Sequence, residues 1–346
     1  MARRPESVTD GGTRRMIRAI GRKIASICFP RKPAVHQRLE VALVRELEVA
    51  YSSGTAPAVV AHARGYQWAN ACHDLFEAGR IDVVEYAARY LHPLYPELTY
   101  LATLVAFFDA MPRHSPAPLA FRNDPAEEIQ VVRRPDCDTV LLCFCASGGN
   151  LGLPANFVHQ WLGRLPASLV YVKDLRNFRG SCGFPTLGPD RASSVTAFRR
   201  IAEEIGGKKI FTFGVSRGGY PALYYGLEVG AAAVLSLAGA TDYTREFVDT
   251  LGPVPRAYLD LTERAPDYFR NLRASCASAA HTTRVLITYG AGNPRDRRQA
   301  ERIAGLPNVE LIALDYAQHN VIEPLIRQGK FLPLLNRFLS TGRIMA

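Results

Sequence analysis

Residues 214–218 read Gly-Val-Ser-Arg-Gly and directly follow an apolar run at 210–213. A serine on a tight turn between a strand and a helix has a strained backbone, and the residues two positions away on either side must be small. Its hydroxyl then projects from the edge of a sheet, and the N–H groups of the following helix face any developing negative charge. The spacing indicates a nucleophile at Ser216; the alternative is a glycine-rich turn with an incidental serine.

Short apolar runs after residue 126 alternate with segments of helical periodicity. The strand-like runs are at 139–145, 169–172, 210–213, 232–237, 285–289 and 309–314, and the helical segments are at 155–165, 194–205, 219–227, 297–303 and 321–328. Continuous apolar strands between helices are typical of a parallel sheet with both faces covered. The sequence therefore predicts an α/β fold with a mostly parallel sheet and helices on both faces.

The region before this pattern is helical and has no strand signal. Its segment LFEAGRIDVVEYAARYLHPLYPEL resembles a tetratricopeptide-type helical hairpin. However, the spacing of its Gly, Ala and Pro departs from that pattern, and no second copy follows at a fixed period. We predict three parts: a basic arm at 1–33, a small all-α domain at 34–124 and the α/β domain at 125–346.

The segment GVSRGG and the elements around it resemble the α/β-hydrolase superfamily over roughly residues 127–346. The resemblance implies a serine, an acid and a histidine in that chain order. His319 follows the last predicted strand, where the family carries its general base, whereas His281 precedes a strand and lies at its wrong end. The resemblance thus implies that His319 takes the serine proton; the alternative is a surface histidine that caps a helix.

In this family the acid follows the strand that here reads RVLITYG, and the nearest carboxylate is Asp296. It would hold the histidine tautomer and stabilise the imidazolium. Asn293 stands where many members carry the acid, so Asp296 can instead be read as the N-cap of the next helix. Asp315, four residues before His319, is a further candidate. We favour Asp296 and leave these alternatives open.

Acyl chemistry needs two N–H donors at the developing oxyanion. The resemblance implies that the amide of Arg217 is one of them and that the other comes from the loop ASGGNLG after the first strand, at Ser147 or Gly148. This loop departs from the HGGG pattern of lipases because no histidine precedes its glycines. The alternative is an ordinary flexible turn.

Charged residues follow the run at 169–172 and so face the same sheet edge. Asp174 and Arg176 are the predicted substrate-binding residues, for a polar substrate; the alternative is that they fix their own loop through ion pairs. The aromatic-rich segment 242–273 corresponds to insertions that commonly form a lid in proteins that look like this, and it can equally pack into the core.

The net charge of +10 is concentrated in the first 33 residues, which hold nine Lys and Arg against two acidic residues. Within residues 14–27, apolar side chains recur at helical spacing between arginines, as in an amphipathic helix. Such a helix can rest on an anionic membrane surface. The alternative is a solvated arm.

Several classes are excluded. Seven cysteines, an odd number in a long chain, do not suggest a disulfide framework, and without a pair of CxxC motifs no zinc site is expected. No apolar stretch reaches the roughly 18 residues of a membrane span. Basic residues interrupt what a signal peptide would need as its apolar region, so the expected compartment is the cytoplasm. No nucleic-acid-binding motif is present, and we predict no metal and no cofactor.

The residues favour a serine hydrolase, esterase-like, that cleaves a small-molecule or glycan-borne acyl ester through Ser216, His319 and Asp296. Two alternatives remain. An acyltransferase would pass the same acyl group to an alcohol. A non-catalytic hydrolase-fold protein would bind partners through its helical domain, and Asn293 at the family's usual acid position keeps this alternative open.

Overall fold

The structure is a computed structural model that describes residues 34–58, 63–113, 117–176, 179–251, 271–279 and 281–343. The predicted basic arm at 1–33 and most of the predicted lid lie outside the described residues. By their contacts, residues 1–74 and 75–346 form two compact units. The domain boundary predicted at residue 125 stays a prediction.

Within the described residues, four helices precede the sheet: α1 (Ala34–Ser53), α2 (Gly65–Glu77), α3 (Ile81–Leu91) and α4 (Thr99–Asp109). In α3 the buried side chains recur every three or four residues, which gives the helix one apolar face; they are Val83, Val84, Ala87, Ala88 and Leu91. Leu101, Leu104, Phe107 and Phe108 form the buried face of α4. The predicted helical character of this region is thus present in the structure.

The described part of the chain contains seven strands, which form one sheet in the order β1-β3-β2-β4-β5-β6-β7. They are β1 (Ile129–Val132), β2 (Thr139–Phe144), β3 (Ser168–Val172), β4 (Lys209–Val215), β5 (Ala233–Leu237), β6 (Arg284–Gly290) and β7 (Val309–Leu314). Only β1 is antiparallel to its neighbour β3, and the other described pairs are parallel. The predicted mostly parallel sheet is confirmed.

The described helices that follow β2 are α5 (Ala155–Leu162), α6 (Arg191–Glu204), α7 (Gly219–Val229), α8 (Arg245–Asp249), α9 (Arg273–Ser278), α10 (Pro294–Glu301), α11 (Ile322–Arg327) and α12 (Phe331–Thr341). They cover both faces of the sheet. On one face Phe213 contacts Phe331 of α12, with ring centroids 6.2 Å apart. On the other face Phe144 stacks on Tyr225 of α7 at 5.6 Å. Every residue of β3 and β5 is buried, which explains why their sequences are mostly apolar.

The strand order places a crevice between β2 and β4. The chain passes from β2 to β3 on one side and then crosses to β4 on the other side. Loops leaving these two strands therefore diverge, and ligands of open α/β sheets bind at such a switch point, beyond the carboxyl ends of the strands. Ser216 directly follows β4 at that edge.

Candidate active site

The turn after β4 forces Ser216 into an unusual backbone conformation. Its φ of +54° lies in the left-handed region, which few residues other than glycine adopt. A Cβ on Gly214 would lie 2.1 Å from the carbonyl oxygen of Gly218, and one on Gly218 would lie 2.0 Å from that of Phe144. Only glycine fits at either position, which is the steric requirement of a strand–turn–helix elbow.

A chain of hydrogen bonds leads from Ser216 to a buried carboxylate. Ser216 Oγ lies 2.6 Å from His319 Nε2, and His319 Nδ1 lies 2.9 Å from both carboxylate oxygens of Asp296. Because a carboxylate only accepts, Nδ1 carries the proton, which leaves Nε2 as the acceptor for the serine hydroxyl. The structure therefore brings together the three residues singled out in the sequence.

The sheet order, the antiparallel first strand and the elbow at Ser216, with its partners after β6 and β7, match the architecture implied by the sequence resemblance. The chain has the α/β-hydrolase fold. In this α/β-hydrolase fold the side chain of Asp296 is only 5% exposed, whereas that of His319 is 49% exposed. The carboxylate of Asp296 is thus shielded from solvent, whereas the imidazole of His319 is accessible to it.

The start of helix α10 shows that the alternative role of Asp296, as the N-cap of this helix, was wrong. Helix α10 begins at Pro294, not at residue 297, and Asn293 is its N-cap. The Asn293 side-chain oxygen accepts the backbone N–H groups of Arg295 at 3.1 Å and Asp296 at 3.2 Å. Asp296 is thus free of the capping role and points to His319. Asp315 is exposed, and both described contacts of His319 Nδ1 go to Asp296.

A buried network that sequence reasoning missed holds α10 in place. Gln299 Oε1 accepts the backbone N–H groups of Thr241 at 2.8 Å and Asp242 at 3.0 Å, and its Nε2 donates to the Asp242 carbonyl at 3.0 Å. Arg302 Nη2 lies 2.7 Å from the fully buried carboxylate of Asp242. These contacts tie the helix that carries Asp296 to the segment after β5.

The loops after β6 and β7 approach each other through glycines. A Cβ on Gly290 would lie 2.6 Å from the Tyr316 carbonyl oxygen, and one on Gly292 would lie 2.9 Å from Ala317 Cα. The Gly292 N–H also donates to the Tyr316 carbonyl at 3.0 Å. This close backbone contact explains how Asp296, in the helix after β6, and His319, in the loop after β7, come within hydrogen-bond distance.

Residues 146–153, the β2 loop, lie beside the elbow because Gly218 abuts the last residue of β2. The loop opens with a 3₁₀ turn at Ser147–Gly149, in which Gly148 has a φ of +74°. It is closed by a bond from the Ala146 N–H to the Asn150 carbonyl at 2.6 Å. The amides of Ser147, Gly148 and Arg217 are therefore at the sheet edge where Ser216 lies, and their role as oxyanion donors stays a prediction.

Asp174 and Arg176 hold their own loop in the structure. The two oxygens of Asp174 accept the backbone N–H groups of Arg176 at 3.0 Å and Gly180 at 2.8 Å. Arg176 Nη2 donates to the Cys182 carbonyl at 3.1 Å. Burial raises the pKa of the Asp174 carboxyl, and these backbone bonds act in the opposite direction. The described hydrogen bonds of these two side chains go to backbone groups of the same loop, and substrate binding by the two residues stays a prediction.

The cysteines near the sheet edge are not activated. Cys143 and Cys145 are buried, and burial raises the pKa of the Cys145 thiol to about 12, so it is protonated at neutral pH.

Among the residues the structure describes, no group of three or more His, Cys, Asp or Glu is arranged to hold a metal ion. Within the same ranges, none of the helices has both the length and the apolar character needed to cross a bilayer.

No protein-family model matches the chain, and no curated protein matches it. Solved structures do align with it. The butyrate-bound esterase Est2 of Thermogutta terrifontis aligns over 68% of this chain and 97% of its own, with 18% identity and a TM-score of 0.42. MenH from S. aureus aligns over 61% and 97%, with 14% identity and a TM-score of 0.40. The capsule O-acetyltransferase of Neisseria meningitidis serogroup A aligns over 63% and 93%, with 12% identity and a TM-score of 0.43.

Proposed function

We propose that the protein is a serine hydrolase, esterase-like, that cleaves an acyl ester through an acyl-enzyme on Ser216. The observation that carries this proposal is the hydrogen-bond chain of 2.6 Å and 2.9 Å from Ser216 through His319 to Asp296. It begins at a serine held on a strained elbow and ends at a buried carboxylate. This is the arrangement that acyl transfer by a serine nucleophile needs.

In the acylation half, Ser216 Oγ attacks the ester carbonyl carbon while His319 Nε2 takes the hydroxyl proton. Asp296 stays ionised and stabilises the imidazolium that forms. The N–H of Arg217 and an N–H of Ser147 or Gly148 stabilise the oxyanion. When the carbon–oxygen bond to the leaving group breaks, His319 returns its proton to the departing alcohol, and the acyl group remains on Ser216.

In the deacylation half, a water molecule attacks the acyl carbon and gives its proton to His319. The tetrahedral intermediate collapses, the carboxylic acid leaves, and Ser216 regains its proton from His319. The half-exposed imidazole of His319 supports this step because water can reach the side chain.

For the substrate we propose a small-molecule or glycan-borne acyl ester. Charged side chains lie along the sheet edge that carries the nucleophile: Arg217 is in the elbow itself, and Asp174 and Arg176 follow β3. A polar rim of this kind is suited to a polar acyl carrier rather than to a long apolar chain.

The test compares the wild-type chain with Ser216→Ala on a panel of acyl esters. We expect the wild type to release carboxylic acid and S216A to lose at least about three orders of magnitude in kcat/KM. Ser278→Ala, which removes an exposed hydroxyl on α9, is the matched control and should keep wild-type turnover. Full esterase turnover by S216A would overturn the proposal.

Adding a competing alcohol to the same assay separates hydrolysis from acyl transfer. A hydrolase yields the free acid, whereas an acyltransferase yields a new ester of the added alcohol. A wild-type protein that is folded but inert on all esters would favour the third interpretation, a non-catalytic protein that binds a protein partner through its helical domain.

The cytoplasmic location and the contact of residues 14–27 with an anionic membrane also stay predictions. Flotation with anionic liposomes tests the second. The full chain should float, and the triple variant Arg14→Glu, Arg15→Glu and Arg18→Glu should not, because each cation near an anionic surface contributes about 1 kcal/mol. Equal behaviour of the two proteins would contradict it.

A further inference from the structure

The residue after the histidine of the hydrogen-bond chain reaches across to the β2 loop. Asn320 Nδ2 donates to the Gly152 carbonyl at 3.0 Å, over a separation of 168 residues in the chain. The other polar atom of this side chain, Oδ1, is buried and has no hydrogen-bond partner among the described residues. Among the described residues, the Asn320 side chain therefore makes one hydrogen bond, and its acceptor belongs to the β2 loop beside the elbow.

Gly152 is a junction of three segments that form the site. Its φ is +78°, and a Cβ there would lie 2.8 Å from Val215 Cγ1, 2.9 Å from Asn320 Oδ1 and 3.0 Å from Ile322 Cγ2. Val215 immediately precedes Ser216, and Asn320 immediately follows His319. The β2 loop thus contacts the nucleophile turn and the histidine loop at one point, where no side chain fits.

Other hydrogen bonds hold the segment that consists of the β2 loop and the start of α5. Asn150 Nδ2 donates to Glu77 Oε2 at 3.1 Å, and Asn156 Nδ2 donates to the Gly79 carbonyl at 2.6 Å. These bonds join the segment to Glu77, the last residue of α2, and to Gly79 in the turn before α3. Among the described side-chain hydrogen bonds of the β2 loop, that of Asn320 is the one that joins it to the histidine loop.

We infer that Asn320 is a positioning residue for the acyl-transfer site: its bond to Gly152 holds the predicted oxyanion donors of the β2 loop in register with His319 and Ser216. This inference rests on the proposed function. Oxyanion donors act only when they are fixed at the site of developing charge before the reaction. Loss of the bond should therefore weaken transition-state stabilisation and leave ground-state binding of the substrate little changed.

The experiment measures kcat and KM separately for an activated aryl ester, with the full chain. Asn320→Leu keeps the approximate shape, removes the donor to the Gly152 carbonyl and also removes the buried acceptor without a partner. These two changes act on stability in opposite directions, so its thermal midpoint should fall only modestly. We expect kcat to fall about 10- to 100-fold, because loop displacements of the order of 1 Å have such effects, while KM changes less than about twofold.

Asn156→Leu is the matched control, since it removes an asparagine bond to a backbone carbonyl in the same stretch without touching the histidine loop. It should keep the wild-type kcat. If N320L does not fold, Asn320→Ser, which is neutral and too short to reach Gly152, is measured in the same way. Wild-type kcat in the folded Asn320 variant, or an equal loss in N156L, would overturn the inference. A wild-type protein without ester turnover would instead overturn the proposed function.

Discussion

The side-chain oxygen of Asn293 accepts the backbone N–H of Asp296 at 3.2 Å, so the residue at the position many α/β hydrolases use for their acid supports a different acid here. Asn293 caps α10, and the carboxylate three residues further on, in the first turn of that helix, bonds to His319. This chain thus has Asn293 at the position where the family pattern has its acid, and the carboxylate of Asp296 reaches the imidazole of His319 instead.

The first prediction separates these two roles. Asp296→Asn keeps the shape but places an amide against His319 Nδ1, which favours the wrong tautomer and should lower kcat by about two to four orders of magnitude. Asn293→Ala removes only the cap and should cost about 1 kcal/mol of unfolding free energy with a smaller loss of kcat. Steady-state kinetics and denaturant titrations measure both effects. A D296N variant with near-wild-type kcat would show that the carboxylate is not the orienting acid.

A second prediction concerns the space at the elbow. Gly218→Ala would put a methyl group 2.0 Å from the Phe144 carbonyl oxygen, so the turn must move. We expect a loss of about 1–3 kcal/mol in unfolding free energy, as for overpacking, together with loss of ester turnover.

Gly230→Ala is the control for this prediction. Gly230 ends α7 with a φ of +74°, and a Cβ there meets nothing within 4 Å. Its cost should be about 1–2 kcal/mol of backbone strain, with turnover retained. Full activity in G218A, measured at a temperature where it is folded, would contradict the steric account of the elbow.

The third prediction tests the network that holds α10. Arg302→Met leaves the fully buried Asp242 carboxylate without its ion pair. Because the arginine is itself partly exposed, we expect a loss of about 1–3 kcal/mol in unfolding free energy. Arg245→Met removes an exposed pair with Asp249 and should cost no more than about 0.5 kcal/mol. Chemical denaturation of the two variants measures both changes in unfolding free energy. Equal losses would contradict the prediction that the ion pair of the buried Asp242 carboxylate contributes more to stability than the exposed pair.

A fourth prediction follows from a buried histidine outside the site. His159 Nε2 lies 2.6 Å from the Leu119 carbonyl and Nδ1 lies 2.6 Å from the Tyr171 hydroxyl. The carbonyl only accepts, so Nε2 carries the proton and Nδ1 accepts from the tyrosine, as in a neutral ring. Burial lowers the pKa of His159 because it disfavours the charged form.

The sign of the pH effect follows from this lowered pKa. Below about pH 6.5 the unfolded chain binds a proton at this position while the folded protein still does not. The stabilisation is therefore complete above that pH and is lost as the pH falls towards the folded-state pKa. We expect the unfolding free energy of the wild type to decrease between about pH 7.5 and about pH 5.5. The decrease should be smaller in His159→Gln, and an equal decrease in both proteins would contradict the assignment.

Much of the fold could be predicted from local patterns. The strands β2 to β6 are mostly buried runs rich in apolar residues, β7 is a partly buried one, and the elbow needs glycines at fixed spacing, so these features leave a signal in the sequence. Strand β1 left no such signal: it has four residues, one face of it is exposed, and charged residues flank it on both sides. Tertiary pairing with β3, rather than its own composition, makes it a strand.

The residues that position the site were harder to predict because their partners are distant in sequence. Asn320 contacts Gly152, and Gln299 contacts Thr241 and Asp242, through hydrogen bonds of their side-chain amides that follow no periodic pattern. Asparagine and glutamine are common in ordinary polar loops and on helix surfaces, so these residue types alone gave no signal. The presence of Ser216, His319 and Asp296 could be predicted from their place after strands, whereas the contacts that align them depend on the folded chain.

The most direct test of the central claim is covalent labelling of the folded full-length protein with a fluorophosphonate, followed by peptide mass spectrometry. Attack of Ser216 Oγ on phosphorus expels fluoride, so we predict one adduct, on the peptide that contains Ser216. That adduct should be absent in S216A, unchanged in S278A, and formed at least about 100-fold more slowly in His319→Ala. A folded wild-type protein that takes no label, or an equal label on S216A, would contradict the account.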